Sequence, residues 1–192
     1  DDPFNAKICA GLQRLSQSDV PLFFMAGNRD FLAGDGFASK AGLTLLPDPA
    51  LVEIAGASVL LMHGDTLCTD DDAYQMFRTE VRSPEWRKSF LALPLDQRKA
   101  KIEALRQESE AQKRAKPAEI MDVNPAAVLQ VLTSHRCTRL IHGHTHRPAL
   151  HRLAVAGEAC ERWVLPDWYE RGGYLACDAS GCRLLEWPPA AV

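Results

Sequence analysis

"LIHGHTHRP" (residues 140–148) places three of the chain's six histidines within five positions, directly after an apolar pair. Leu140 and Ile141 read as a short buried strand, and Gly143 lets the backbone turn sharply away from its end. On an extended backbone, His144 and His146 are two apart and so present both imidazoles to one side, as two nitrogen ligands of one ion need. A strand-end histidine alone is usually an ordinary hydrogen-bonded residue. The reading therefore turns on whether other strands end in the same way.

Two do. "LFFMAGNRD" (22–30) is an apolar run that stops at Gly27 and delivers Asn28, Arg29 and Asp30, and "VLLMHGD" (59–65) delivers His63 and Asp65 around Gly64. In open α/β sheets, ligands bind beyond the carboxyl ends of the strands, so the three groups are expected to converge. Imidazole, amide and carboxylate donors without a thiolate suit Mn, Fe or Zn.

The surroundings fit an α/β chain. Ile8, Leu12 and Leu15 form one face of an opening helix that "QSDVP" (17–21) ends, and "GDGFASKAG" (34–42) holds a second, short helix. "LVEIAGASVLLM" (51–62) reads as a hairpin turning at residues 55–57. Asp70 to Met121 is charged and helical, and positions 98–116 carry seven Lys or Arg against three Glu. Asn124 and Pro125 mark the start of a helix whose buried stripe is Val128, Val131 and Leu132. Strands are expected near 162–165, 174–177 and 182–187, the last two joined by an "ASG" turn.

At 192 residues and 46% hydrophobic content, the chain suits one domain. A net charge of −3 gives no sign of nucleic acid as a partner. The six cysteines are scattered without a C-x-x-C pair and read as free thiols. No apolar run is long enough to span a bilayer.

"GNRD", "HGD" and "GHTH" match, in order, the last three blocks of the signature of the calcineurin-like metallophosphoesterases, and the chain resembles that family. The family's D-x-H and G-D blocks do not occur before residue 27. With "HGDTLCTDD" (63–71), "IMDVN" (120–124) and "IHGHTHRPALH" (141–151), nearly the whole chain resembles the UDP-2,3-diacylglucosamine diphosphatase family of lipid A biosynthesis.

The resemblance implies an α/β two-sheet sandwich flanked by helices, one domain over 1–192 with a helical lid at 70–121. It also implies that the first two strands and several metal ligands lie upstream, which would leave this chain inactive alone, at most a binding module. It makes Asn28, His63, His144 and His146 ligands of a two-Mn²⁺ site, beside which Arg29 and His142 are taken, from their position and chemistry, as the catalytic residues. Asn28, Arg29, Asp71, Tyr74, Arg106, Ser109, Lys113, Lys116 and His144 would contact a sugar-nucleotide lipid. Its reaction would yield 2,3-diacylglucosamine 1-phosphate and UMP, on the cytoplasmic face of the bacterial inner membrane, the protein being held there peripherally.

Two bound metals lower the pKa of water and clamp phosphoryl oxygens for in-line attack. Arg29, next to an expected ligand, is placed to neutralise phosphoryl charge, although pairing with Asp30 is the plainer role. Arginine cannot donate a proton near neutral pH, which favours a diphosphate, whose leaving group is already a stable anion. Arg106, Ser109, Lys113 and Lys116 stand three, four and three apart and share one helical face. Trp86, Phe90, Leu91, Leu93 and Leu95 suit either acyl chains or a core-facing helix. His142, Arg147 and His151 are assigned to holding ligands or binding substrate phosphate. Asp167, Trp168 and Tyr169 are assigned to the nucleotide end. The rival substrate is a soluble nucleotide.

Overall fold

The computed structural model describes residues 2–117 and 120–188, without the side chains of residues 113 and 115. The chain divides into two compact units, Thr66–Ala127 and the remainder. Each is described by itself.

The larger unit opens with α1 (Pro3–Ser16), whose first turn is fixed by Pro3 and by Asp2, which accepts from the Phe4 N–H at 2.8 Å. β1 (Phe23–Met25), α2 (Asp35–Ala41) and β2 (Thr44–Leu46) follow, and β1 and β2 pair in parallel. The apolar run that ends at Gly27 forms β1. β1 and β2 form a sheet of their own, and Phe23 is 61% exposed.

A five-stranded mixed sheet carries the core, in the order β3 (Ala50–Ile54), β4 (Ala57–Met62), β5 (Arg139–His142), β7 (Glu158–Val164) and β6 (Ala149–Val155). β4, β5 and β7 run parallel and β3 and β6 are antiparallel to their neighbours. Ala55 and Gly56 both take positive φ, 51° and 78°, which is what a two-residue hairpin turn between β3 and β4 requires. β6 was not foreseen. Its hairpin with β7 uses a second Ala-Gly pair, Ala156 and Gly157, at 51° and 85°.

The central strands are covered on both faces, which is why they read as unbroken apolar runs. On one face Val59, Ile141 and Trp163 form a cluster with Leu175, Cys182 and Leu184 of the terminal hairpin, β8 (Gly172–Asp178) and β9 (Gly181–Trp187). On the other, Leu60, Leu140, His142 and Val164 are fully buried. Cys177 and Cys182 face each other across β8 and β9, with Cα atoms 4.1 Å apart, and form a disulfide. The expectation of free thiols holds for Cys9, Cys68, Cys137 and Cys160 and fails for this pair, because the hairpin register brings them together.

α6 (Pro125–His135) starts as expected, with Asn124 Oδ1 accepting the Ala126 N–H at 2.8 Å, and it buries Val128 and Leu132. In the unit Thr66–Ala127, Asp71 caps α3 (Asp72–Val81) and Ser83 caps α4 (Pro84–Leu91). The longest helix is α5 (Leu95–Ala115). Among the described residues, no helix is long and apolar enough to cross a membrane.

Candidate metal centre

β4 and β5 end side by side, and a backbone bond ties them: Gly143 N–H donates to the His63 carbonyl at 3.0 Å. Gly64 takes φ 108°, and a Cβ there would come within 2.8 Å of His142 Nδ1. The end of β1 joins them. A Cβ at Gly27 would lie 2.8 Å from both Cδ2 and Nε2 of His63. Glycine at 27 thus lets the turn backbone touch the His63 ring, and Asp30 closes that turn by accepting the Gly27 N–H. Asn28 and Arg29 sit exposed on the same turn. The three strand ends therefore meet.

His63 and His144 pack edge to face, ring centroids 4.9 Å apart. Burial, and then the neighbouring His63, push the pKa of His144 down to about 4. Its imidazole is therefore neutral near pH 7, with a lone pair for a metal. His63 Nδ1 lies 3.2 Å from Oδ1 of Asp65, a fully buried carboxylate, and the His63 N–H donates to Asp48 Oδ1 at 3.2 Å. The donor atoms of Asp48, His63 and Asp65 lie within 4.8 Å of one another. This donor set, imidazoles and carboxylates without a thiolate, fits a divalent metal of the Mn, Fe or Zn type.

The backbone of the histidine-rich turn differs from expectation. His144 and His146 were placed on extended backbone, yet both have positive φ, 65° and 55°. β5 ends at His142, so the turn is held by the Thr145 N–H on the Gly143 carbonyl at 2.8 Å instead of by a sheet partner. Two non-glycine residues in the left-handed region within three positions mark a constrained segment. His146 is half exposed, 3.7 Å from Asp167 and 5.6 Å from the Tyr169 ring.

Over these same residues the sequence is similar to several chains that share one name. It is 49% identical to the UDP-2,3-diacylglucosamine hydrolase of Aromatoleum aromaticum over 190 residues, 99% of this chain and 75% of that protein. It is 46% identical to the enzyme of that name from Xanthomonas axonopodis pv. citri (92% and 74% covered) and 45% to that from an Enterobacter species (97% and 78%). The chain belongs to the UDP-2,3-diacylglucosamine hydrolase family. No protein-family model matches it.

In this member of the UDP-2,3-diacylglucosamine hydrolase family, His142 lies behind the turn. It is fully buried, with Nδ1 2.9 Å from the Gly143 carbonyl and Nε2 3.2 Å from Arg162 Nη1. A carbonyl only accepts and a guanidinium only donates, so His142 is neutral and carries its proton on Nδ1. Arg147 is exposed beyond the turn, and His151 sits on β6 opposite Arg162. Asp48 and Arg162 were missed by the sequence reading. Neither belongs to a motif, and each reaches the site only through strand pairing.

In the smaller unit, Lys116 Nζ contacts both carboxylate oxygens of Asp71, at 2.6 and 2.7 Å, while Asp71 Oδ1 caps Tyr74 N–H at 3.1 Å. Arg106 and Ser109 are exposed on α5, and the Lys113 side chain lies outside the described residues. Lys116 was expected to continue the helical face of Arg106 and Ser109. It is instead the residue capping α5, with extended backbone at φ −91° and ψ 141°, so it leaves that face. Trp86 stacks on Phe90 at 4.8 Å and Lys101 lies 5.6 Å over the Trp86 ring. Phe90 is buried, whereas Leu91 and Leu95 are about half exposed.

Proposed function

We propose that this chain carries the hydrolytic chemistry of its family: cleavage of the diphosphate bond of UDP-2,3-diacylglucosamine to 2,3-diacylglucosamine 1-phosphate and UMP. The observation that carries the reading is the meeting of the Gly27 turn, His63 and His144 at three strand ends, in a chain closely similar to enzymes of that name. Two metals, read as Mn²⁺, would be held by Asn28, His63, His144 and His146 with further donors. When bound they would supply Lewis acidity and an activated water.

The chain's own residues then do the following work. Arg29, exposed beside Asn28, binds the phosphoryl oxygens and neutralises charge as water attacks the uridine-side phosphorus and the bond to the bridging oxygen breaks. The leaving sugar phosphate needs no proton from a side chain. His142, engaged on both ring nitrogens, supports the turn from behind. His144 presents an uncharged imidazole at neutral pH. Asp71, Tyr74, Arg106, Ser109, Lys113 and Lys116 are read as a lid's contacts to glucosamine, phosphate or acyl chains, within a metallophosphoesterase sandwich. Exposed Leu91 and Leu95 beside basic α5 suit peripheral attachment at the cytoplasmic face of the inner membrane.

The test is UMP release from UDP-2,3-diacylglucosamine with Mn²⁺, after chelation, and against a water-soluble dinucleotide polyphosphate. Mn²⁺-dependent release from the lipid is expected of the protein with its upstream metal ligands restored, and none from the chain alone. Cleavage of the soluble nucleotide alone would overturn the substrate and leave the metal centre standing.

A further inference from the structure

Residues 167–169 close around the histidine-rich turn. Asp167 Oδ2 lies 3.7 Å from Nδ1 of His146, and the Tyr169 ring meets the His146 ring edge to face at 5.6 Å. Trp168 stands between these two residues, so its backbone is held beside the turn from both sides. Its side chain is fixed by another part of the chain, the start of β8.

Trp168 Nε1 donates to the Gly173 carbonyl at 2.9 Å, and a Cβ at Gly172 would fall 2.5 Å from both Cδ2 and Cε3 and 2.9 Å from Cε2 of the indole. Cδ2 and Cε2 are the ring-fusion atoms and have no outer edge, so Gly172 meets the face of the ring. Glycine there lets the indole lie flat on the backbone. With one face seated and the N–H bonded, the ring is set in one orientation, yet Trp168 remains 62% exposed. The open area is therefore the opposite face.

A preset open aromatic face is a stacking surface, on which a planar ring gains contact without the entropy cost of ordering the side chain. Acyl chains and sugars offer no such ring, and a nucleobase does. The substrate read above has one, the uracil, joined through ribose to the phosphorus that water attacks. We propose that Trp168 is a specificity-determining residue whose open face stacks the nucleobase of the substrate, with Asp167 and Tyr169 setting that ledge beside the histidine-rich turn. This rests on the nucleotide-diphosphate reading of the function, and it gives Trp168 no part in metal binding or in the bond cleaved. An exposed tryptophan also suits a membrane interface. Its place between two contacts to His146 favours the base.

The experiment compares UMP with ribose 5-phosphate, which keeps the sugar and phosphate and lacks the base, by calorimetric affinity for the Mn²⁺-loaded protein with its upstream metal ligands restored. UMP should bind about 10- to 100-fold more tightly, the range for one base stacked on an aromatic side chain. Trp168→Leu should remove most of that preference while leaving ribose 5-phosphate affinity within a few-fold, and Trp168→Phe should keep most of it. In the wild type, UMP and not ribose 5-phosphate should shift the Trp168 indole N–H resonance, a reading that needs no stable variant. Equal wild-type affinity for the two ligands, an unmoved indole resonance or an undiminished base preference in Trp168→Leu each overturns the proposal. So does a Trp168→Leu protein that loses only its association with phosphatidylglycerol vesicles, which would make Trp168 a membrane contact. A Trp168-dependent preference for UMP in a protein that does not hydrolyse UDP-2,3-diacylglucosamine supports the stacking site and removes the substrate reading instead.

Discussion

His63 and His144, far apart in sequence, stand edge to face with ring centroids 4.9 Å apart because β4 and β5 are adjacent parallel strands that end together. A metal centre built on that pairing depends on each imidazole separately. His63→Ala or His144→Ala should weaken Mn²⁺ binding by about 100-fold or more, since disturbing even an outer partner of a ligand costs roughly 10- to 100-fold. Calorimetric titration measures this, with circular dichroism to establish that the variants remain folded. Affinity within a few-fold of wild type for both would remove these residues from the ligand set.

The proton on His144 supplies a second test. Its folded pKa of about 4 lies below the ordinary 6.5, so between these values the unfolded chain takes up a proton that the folded chain excludes. The metal-free protein is therefore at full stability, as far as this group goes, above pH 6.5 and loses stability as the pH falls toward 4. The loss should be on the order of 2 kcal/mol, less than the full shift because the ring is partly exposed. Thermal melts in chelator across that range should show the slope in the wild type and a shallower one in His144→Gln. Equal slopes would rule out His144 as the source.

Gly27 makes a steric prediction. A methyl group there would sit 2.8 Å from His63 Nε2 and Cδ2, closer than real contacts allow, so Gly27→Ala must move the ring. We expect Mn²⁺ affinity to fall at least tenfold with a melting temperature changed by only a few degrees, since a local displacement costs about 1–3 kcal/mol. Undiminished affinity would show that the ring's position against the turn is immaterial to the site.

The Asp71–Lys116 pair closes the smaller unit across 45 residues, with the two side chains only 12% and 23% exposed. Lys116→Met should destabilise that unit by roughly 1–2 kcal/mol by leaving a partly buried carboxylate without its cation. Asp71→Ala should cost more, because the cap on Tyr74 is lost too. Limited proteolysis of the 66–127 segment reports on both, and a double-mutant cycle showing no coupling between them would refute the pairing.

Arg29→Ala should lower kcat on UDP-2,3-diacylglucosamine by about 10²-fold with a smaller change in KM, as expected for a group whose bonds tighten on developing phosphoryl charge. Arg29→Lys should recover only part of the rate, since lysine offers a point charge instead of a fork of donors. A pure KM effect would move Arg29 from the reacting phosphorus to substrate capture.

What the sequence determined by itself was everything encoded within a few residues. Asn124 followed by Pro125 specifies a helix start, Ala55-Gly56 specifies a hairpin, and Gly27, Gly64 and Gly143 specify where strands must stop, since each signal acts through its own backbone. The concentration of donors after those glycines was enough to expect a metal centre. Only the tertiary structure decided what depends on register and distance: that β6 pairs with β7 and sets His151 opposite Arg162, that Cys177 meets Cys182, that Lys116 leaves its helix for Asp71, and that His144 and His146 take left-handed backbone. Asp48 shows the reason most directly. It sits in a turn without a motif, and it matters because the β3–β4 hairpin and the loop before it bring its carboxylate to the His63 N–H, a placement set by chain pairing and invisible to any local pattern.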